Sequence, residues 1–170
     1  KCAVALLESG QVNRVLGWGA GEFCYDVTPA VFTSKDEIEN NLIYTPFCGA
    51  NLSKYLVKET LKEGKVLVFL KPCDTYSFNQ LLSEHRVNRE KVYVVGVPCD
   101  GMADVERLRA AGITGIKSVA FDGDRVTVDT IYGTREANKA DVLAGRCADC
   151  KSHKHVAYDE LLGEDGEVLD

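Results

Sequence analysis

Two stretches of the sequence end in the same way: residues 65–74 read KVLVFLKPCD, and residues 91–100 read KVYVVGVPCD. Each starts with a lysine, continues through apolar residues rich in valine, and stops at Pro-Cys-Asp. The apolar residues follow one another without polar alternation, which is typical of parallel strands covered on both faces. Proline suits a strand end because it donates no hydrogen bond to a neighbouring strand. The two stretches therefore predict parallel strands that lead into Cys73 and Cys99.

The segments around these strands alternate between helix and strand patterns. Apolar residues recur at helical spacing before the first strand, between the two strands around Phe78 and Leu82, and after the second strand. Strands that alternate with helices over short connections predict right-handed crossovers and a parallel sheet. Residues 117–131 place an Asp-Gly-Asp turn between two apolar runs. The predicted fold class is α/β: a mainly parallel sheet with flanking helices, and antiparallel strands added near the N-terminus and at 117–131.

The first third of the chain predicts strands, loops and one short helix. Apolar runs at 4–7 and 12–16 flank a Ser-Gly turn, which predicts a hairpin. The glycine-rich stretch at 17–21 does not match the dinucleotide-binding fingerprint, and we expect a loop with glycines at positive φ. Ser34, followed three residues later by Glu37, predicts a capping box at the start of a helix.

Cysteines from distant parts of the chain are the candidate site. Parallel strands end at one edge of a sheet, and neighbouring strands lie about 4.8 Å apart, so we expect the thiols of Cys73 and Cys99 to meet there. We also expect each to begin a helix, whose dipole favours thiolate. Cys147 and Cys150 form a Cys-x-x-Cys pair whose sulfurs can face one ion or cluster. Four thiolates are the ligand set of 4Fe–4S clusters and of structural zinc, and both alternatives stay open.

Other polar side chains and thiols near these motifs have simpler interpretations. Asp74 and Asp100 are expected to cap helices. His153 and His155 are expected to lie in a solvated basic turn, although either ring is also a possible zinc ligand in place of a thiolate. Three further cysteines are expected to be buried or incidental, because free cysteine behaves as a small apolar residue. These three are Cys2, Cys24 and Cys48.

Length and composition restrict the class of function. The chain has 170 residues, 45% hydrophobic and 27% charged, which predicts a single domain over 1–170. With a cluster on the four cysteines, this is an α/β iron–sulfur domain whose cluster-binding βαβ core lies at 48–150. The net charge of −6 argues against nucleic-acid binding, and no apolar run predicts a membrane span. Seven cysteines without an export signal predict a reducing, cytoplasmic location. The start at Lys1 and the acidic end GEDGEVLD predict a piece of a longer polypeptide.

Three motifs resemble those of one protein family. KPCD at 71–74 is similar to that family's Gly-Thr-Pro-Cys strand end, and PCDG at 98–101 is similar to its Cys-His-Gly element. RCADCKSHKHVAYDELLGED at 146–165 is similar to its Cys-x-x-Cys segment and the stretch that follows. The family is that of the beta subunits of coenzyme F-420 (deazaflavin) hydrogenases and dehydrogenases, including formate dehydrogenase beta subunits. The similarity extends from about Val12 to the C-terminus.

The resemblance implies an iron–sulfur flavoprotein that passes electrons between a 4Fe–4S cluster, FAD and a two-electron carrier. It places the four candidate cysteines on the family's cluster-binding positions. It also implies partners: other subunits of a hydrogenase, formate dehydrogenase or heterodisulfide reductase type of complex, and a ferredoxin-like electron carrier. Two positions depart from the family pattern, since Asp100 replaces the usual histidine and Lys71 replaces a small residue.

Three functions follow from these observations. The leading one is an electron-transfer module of an oxidoreductase with one 4Fe–4S cluster, in which Lys71 favours the more negative, reduced cluster. The second is a non-catalytic scaffold domain with a four-cysteine zinc site. The third is a dithiol redox enzyme that uses Cys147 and Cys150, and it ranks last because the motif lacks the strand-to-helix context of a thioredoxin-like site.

Overall fold

The predicted parallel strands form the centre of the molecule. The computed structural model describes residues 1–164, so residues 165–170 of the acidic end fall outside the described residues. In this range the α-helices are α1 (Cys2–Glu8), α2 (Lys35–Asn41), α3 (Leu56–Glu59), α4 (Pro72–Ser83), α5 (Val105–Ala110), α6 (Lys139–Val142) and α7 (Gly145–Ala148). The strands are β1 (Arg14–Gly19), β2 (Thr28–Phe32), β3 (Leu42–Ile43), β4 (Val66–Leu70), β5 (Val92–Gly96), β6 (Ile116–Asp122), β7 (Arg125–Thr130), β8 (Gly133–Asn138) and β9 (Glu160–Leu161).

The larger sheet has the strand order β2-β1-β4-β5-β9, and β3 also pairs with β1. Strands β1, β4, β5 and β9 are parallel, whereas β2 and β3 run antiparallel to β1. The two predicted strands are neighbours in register, from Val66 opposite Val92 to Leu70 opposite Gly96. All of β4 is buried, and so is β5 except for the half-buried Tyr93, because both strands are covered on both faces. The predicted α/β fold class is confirmed.

A smaller antiparallel sheet follows in the order β6-β7-β8. Its first two strands confirm the antiparallel pair expected at 117–131. The third strand was not predicted, because its residues GTREAN carry almost no apolar pattern and are mostly exposed. Leu108 of α5 packs with Val126 and Val128 of β7 in an apolar cluster of their own, separate from the one around the larger sheet. No helix within residues 1–164 has the length and apolar character to cross a bilayer.

Two expectations for the N-terminal third are wrong. Residues 2–8 form α1 instead of a hairpin strand, because CAVALLE is rich in good helix formers and the turn residue Gly10, at φ +74°, ends the helix. Gly17 and Gly19 lie inside the buried strand β1 and have no positive φ. At Gly17 a side chain would collide with Leu42 of the paired strand β3, so close packing explains this glycine.

The capping box at the start of α2 is confirmed. The Ser34 hydroxyl accepts a hydrogen bond from the Glu37 backbone N–H at 3.3 Å, and the Glu37 carboxylate accepts from the Ser34 N–H. We expect Ser34→Ala to lower the free energy of unfolding by about 1 kcal/mol, because an N–H of the first turn loses its partner. Urea denaturation checks this, with Ser83→Ala near the end of α4 as the control, expected to change stability by less than about 0.5 kcal/mol. Equal effects of the two changes would contradict the capping role.

Candidate functional site: a cavity lined by four cysteines

The strand ends place Cys73 and Cys99 at one edge of the larger sheet. Strand β4 ends at Leu70 and α4 begins at Pro72, so Cys73 lies in the first turn of a helix, as expected. Strand β5 ends at Gly96, and Cys99 follows in an irregular loop. The expectation that Cys99 also begins a helix is wrong. The next helix, α5, starts only at Val105, where Asp104 rather than Asp100 provides the N-cap.

The Cys-x-x-Cys pair reaches the same edge through backbone contacts with two loops. Cys147 lies in the short helix α7, and Cys150 follows directly after it. The Ala144 N–H donates to the Met102 carbonyl at 2.7 Å, which ties the start of this segment to the loop that carries Cys99. The Arg146 guanidinium donates to the Gly49 carbonyl and so joins α7 to a second loop.

All four candidate cysteines line one cavity of about 390 Å³, here called the thiol cavity. They come from three separate parts of the chain: the α4 start, the β5 end and the α7 segment. The Cys73 side chain is exposed, and the other three are half-buried. Three basic side chains share the lining. These are Lys71, Lys139 and Arg146.

Within residues 1–164, no three His, Cys, Asp or Glu side chains come close enough together to hold one metal ion. In a 4Fe–4S cluster each thiolate binds a different iron, whereas in a structural zinc site all four thiolates bind one ion. Four thiols that line one cavity are a ligand set for either centre.

The surroundings of the two thiols at the strand ends favour their protonated form. Although Cys73 is exposed as a residue, desolvation at its sulfur raises the pKa of the thiol to about 12, with the Asp74 charge adding to the rise and the Lys71 charge opposing it. Burial also raises the pKa of Cys99, against hydrogen bonding at Gly101 and the Lys71 charge. This desolvation opposes the thiolate form that the helix start was expected to favour at Cys73. Binding a metal centre must therefore displace protons from these sulfurs.

Lys71 and Asp74 form a buried ion pair beside the thiols, which the sequence analysis did not predict. The two charged atoms are 2.8 Å apart, and their side chains are only 3% and 4% exposed. The Asp74 carboxylate also accepts a hydrogen bond from the Lys71 backbone N–H at 3.4 Å, so Asp74 helps to cap the start of α4 from within its first turn. The lysine-to-aspartate spacing of three residues was the available signal, since it places both side chains on one side of a helix start.

The two histidines after the Cys-x-x-Cys pair have different positions. His153 lines the thiol cavity, and its ring nitrogen lies 3.2 Å from the Cys150 carbonyl. His155 is buried away from the cavity lining, with its Nε2 3.0 Å from the Leu70 carbonyl at the end of β4. The expectation of a solvated turn is wrong for His155. This ring instead attaches the segment after Cys150 to the end of the parallel sheet.

Gly96 leaves the space that His155 occupies. A Cβ at this position would lie 2.9 Å from the His155 ring and 2.8 Å from Leu161. We expect Gly96→Ala to lower the free energy of unfolding by about 1–3 kcal/mol, because both neighbours must move. Denaturant unfolding measures this. Gly145→Ala is the control, since its Cβ would meet nothing closer than an Arg107 nitrogen at 3.8 Å. A Gly96→Ala protein as stable as the parent would contradict this packing.

The other three cysteines do not line the thiol cavity as the structure describes it. Cys2 and Cys24 are half-buried, and their thiols donate to Glu160 and to the Ile116 carbonyl respectively. Cys48 is fully buried, and its sulfur accepts from the Thr45 N–H at 3.2 Å.

A second cavity, which the sequence analysis did not predict, lies beside the first and is almost entirely apolar. It measures about 390 Å³ and is here called the apolar cavity. Its lining residues are Trp18, Leu42, Ile43, Tyr44, Phe69, Val97, Pro98 and Leu162. Trp18 and Tyr44 pack with ring centroids 5.3 Å apart, and the Tyr44 hydroxyl donates to the Pro98 carbonyl at 2.6 Å. The Lys71 ammonium lies 4.5 Å from the centre of the Trp18 ring, and the side chains of Lys71 and Trp18 separate the two cavities.

The fold and the site together define an α/β domain that gathers four cysteine side chains at one edge of its parallel sheet. Two curated relatives are similar in sequence: the F420-dependent formate dehydrogenase 1 subunit beta of Methanococcus maripaludis and the F420-dependent formate dehydrogenase subunit beta of Methanocaldococcus jannaschii. Each is 30% identical over 96 residues, which is 56% of this chain but only 24% and 25% of the relatives. These relatives confirm the resemblance to the beta-subunit family. The chain spans about a quarter of their length.

A solved structure is similar in fold. A chain of the F420-reducing NiFe hydrogenase complex from Methanosarcina barkeri, determined with xenon derivatization, matches with a TM-score of 0.70. The match covers 88% of this chain and 57% of that chain at 18% identity, so it shows the fold alone. No protein-family model matches the chain.

Proposed function

We propose that this chain is an electron-transfer module of an oxidoreductase in which four thiolates hold one 4Fe–4S cluster. The ligands are Cys73, Cys99, Cys147 and Cys150. The observation that carries the proposal is that these side chains, from three separate parts of the chain, line one cavity. Four thiolates are the common ligand set of such clusters. When bound, the cluster supplies one-electron chemistry at the edge of the sheet.

The surroundings of the thiols suit a negatively charged centre. Lys71, Lys139 and Arg146 line the cavity together with Asp74 and Asp100, and Lys71 is paired with Asp74, so one positive charge is left to offset part of the charge of four thiolates. Arg146 also holds α7 against the loop at Gly49, and so keeps the Cys-x-x-Cys pair facing the strand ends. His155 fixes the other end of that segment against β4. The chain thus positions the ligands from both sides of the Cys-x-x-Cys pair.

The names of the relatives support a more specific role for the parent protein. Both are called beta subunits of F420-dependent formate dehydrogenases. We therefore propose that the module exchanges electrons with a deazaflavin carrier. We propose as its partners the other subunits of a formate dehydrogenase, hydrogenase or heterodisulfide reductase type of complex, together with a ferredoxin-like protein.

The apolar cavity is where we propose that the ring of FAD binds. Its aromatic lining at Trp18 and Tyr44 suits a planar ring, and its wall adjoins the thiol cavity. FAD added to the purified protein should lose fluorescence as the ring stacks on these side chains. Fluorescence that is unchanged by saturating amounts of protein would contradict this part of the proposal.

A reductive titration tests the electron-transfer proposal. Protein purified without oxygen and titrated with dithionite should take up about one electron per chain, with loss of visible absorption, because a 4Fe–4S cluster accepts a single electron. A scaffold domain with four-cysteine zinc would be colourless and would accept none, since zinc has no redox chemistry. A dithiol enzyme, first oxidised to its disulfide form, would take up about two electrons and two protons without visible colour. Either of the last two results would overturn the proposal.

A further inference from the structure

The buried pair of Lys71 and Asp74 gives the thiol cavity two opposite fixed charges. The Lys71 ammonium lies 2.8 Å from the Asp74 carboxylate and 3.0 Å from each of the carbonyls of Cys48 and Ala50. It also lies 4.5 Å from the centre of the Trp18 ring, whose face attracts a cation. These contacts hold the ammonium in one place, where water screens it little.

Both charges lie close to the proposed ligands. Lys71 and Asp74 line the thiol cavity together with Cys73 and Cys99. An oxygen of Asp74 lies 3.7 Å from the Cys73 sulfur. A fixed cation and a fixed anion therefore stand beside the place where the cluster would bind.

We infer that Lys71 raises, and Asp74 lowers, the reduction potential of the cluster held in the thiol cavity, an inference that rests on the proposed function. Reduction adds one electron, taken from a partner carrier, and no bond to the protein forms or breaks. The added negative charge is stabilised by a fixed cation and destabilised by a fixed anion, which is how nearby charge sets cluster potentials. Lys71 and Asp74 thus act on the cluster through their fixed charges, and neither contacts a substrate.

Redox titration monitored by electron paramagnetic resonance tests the inference on anaerobic, iron-loaded protein. Lys71→Met should shift the midpoint potential to a lower value, and Asp74→Asn to a higher value, with the iron content of both unchanged. Lys91→Met is the matched control. Its ammonium also donates to two carbonyls, of Thr60 and Lys62 at 3.1 Å each, but it precedes β5 at the opposite end of the strand from Cys99. This control should keep the parental potential, although it loses hydrogen bonds of the same kind.

Several outcomes separate this inference from the proposed function. A Lys71→Met protein that keeps its iron and the parental potential would overturn the inference and leave the cluster proposal intact. If Lys71→Met does not retain the cluster, Asp74→Asn decides, because it preserves the lysine and an oxygen to receive its hydrogen bond. A potential that is unchanged or lower in Asp74→Asn would overturn the inference. A parent protein without a reducible cluster would overturn both.

Discussion

Cys73→Ser and Cys147→Ala proteins are expected to retain about a tenth or less of the parent's iron and to lose its visible absorption. Cys73 stands at the start of α4 and Cys147 in α7, so the two changes test two different walls of the thiol cavity. Removing either sulfur leaves one iron of the cluster without a protein ligand. Iron analysis and absorption spectra of proteins prepared together without oxygen measure the loss.

Cys24→Ser is the matched control for these substitutions. Cys24 is half-buried, and its thiol donates to the Ile116 carbonyl at 3.4 Å, beside the smaller sheet. It does not line the thiol cavity. This variant should keep the iron and the colour of the parent. Full iron content and unchanged absorption in both Cys73→Ser and Cys147→Ala would show that the ligand assignment is wrong.

Arg14→Met is expected to lower the free energy of unfolding by about 2–4 kcal/mol, because two backbone carbonyls lose a donor and the buried Glu59 carboxylate keeps only Lys62 as an ion-pair partner. Arg14 lies at the start of β1, and its Nε donates to Glu59 at 2.8 Å. Its other nitrogens donate to the carbonyls of Glu59 and Glu63. Burial alone would raise the pKa of the Glu59 carboxyl, but hydrogen bonds from Lys62 and Arg14 outweigh it and hold that pKa below its usual range.

Chemical denaturation of three variants separates the ion pair from general effects of losing an arginine. Arg125→Met removes the exposed partner of Glu136 and should cost about 0–1 kcal/mol. The double variant Arg14→Met with Glu59→Met should be more stable than Arg14→Met alone, because it also removes the buried carboxylate that Arg14→Met leaves with Lys62 as its one ion-pair partner. An Arg14→Met protein no less stable than Arg125→Met would contradict this account.

The central strands and the convergence of the cysteines were predictable from the sequence. Continuous apolar runs identified β4 and β5 as buried parallel strands, and the structure pairs them in register. Parallel pairing alone required Cys73 and Cys99 to share an edge, and the structure brings Cys147 and Cys150 to the same cavity. The apolar runs were informative here because these strands are covered on both faces, so nearly every residue in them is apolar.

Other features could not be read from local pattern because tertiary contacts decide them. The apolar content of Cys2–Glu8 suits a helix and a short strand equally, and seven residues are too few for periodicity to distinguish the two. The strand position 17 is a glycine because a side chain there would collide with Leu42, which is distant in sequence. Desolvation of the Cys73 thiol likewise depends on groups gathered from several segments, which no local pattern shows. The apolar cavity also combines residues from 18 to 162.

The metal content of anaerobically purified protein tests the central claim most directly. Iron, acid-labile sulfide and zinc should be measured on one sample and divided by the protein concentration. One cluster held by the four thiolates predicts about four iron and about four sulfide per chain, with no stoichiometric zinc. About one zinc per chain without iron or sulfide would contradict the claim and identify the cavity as a structural zinc site.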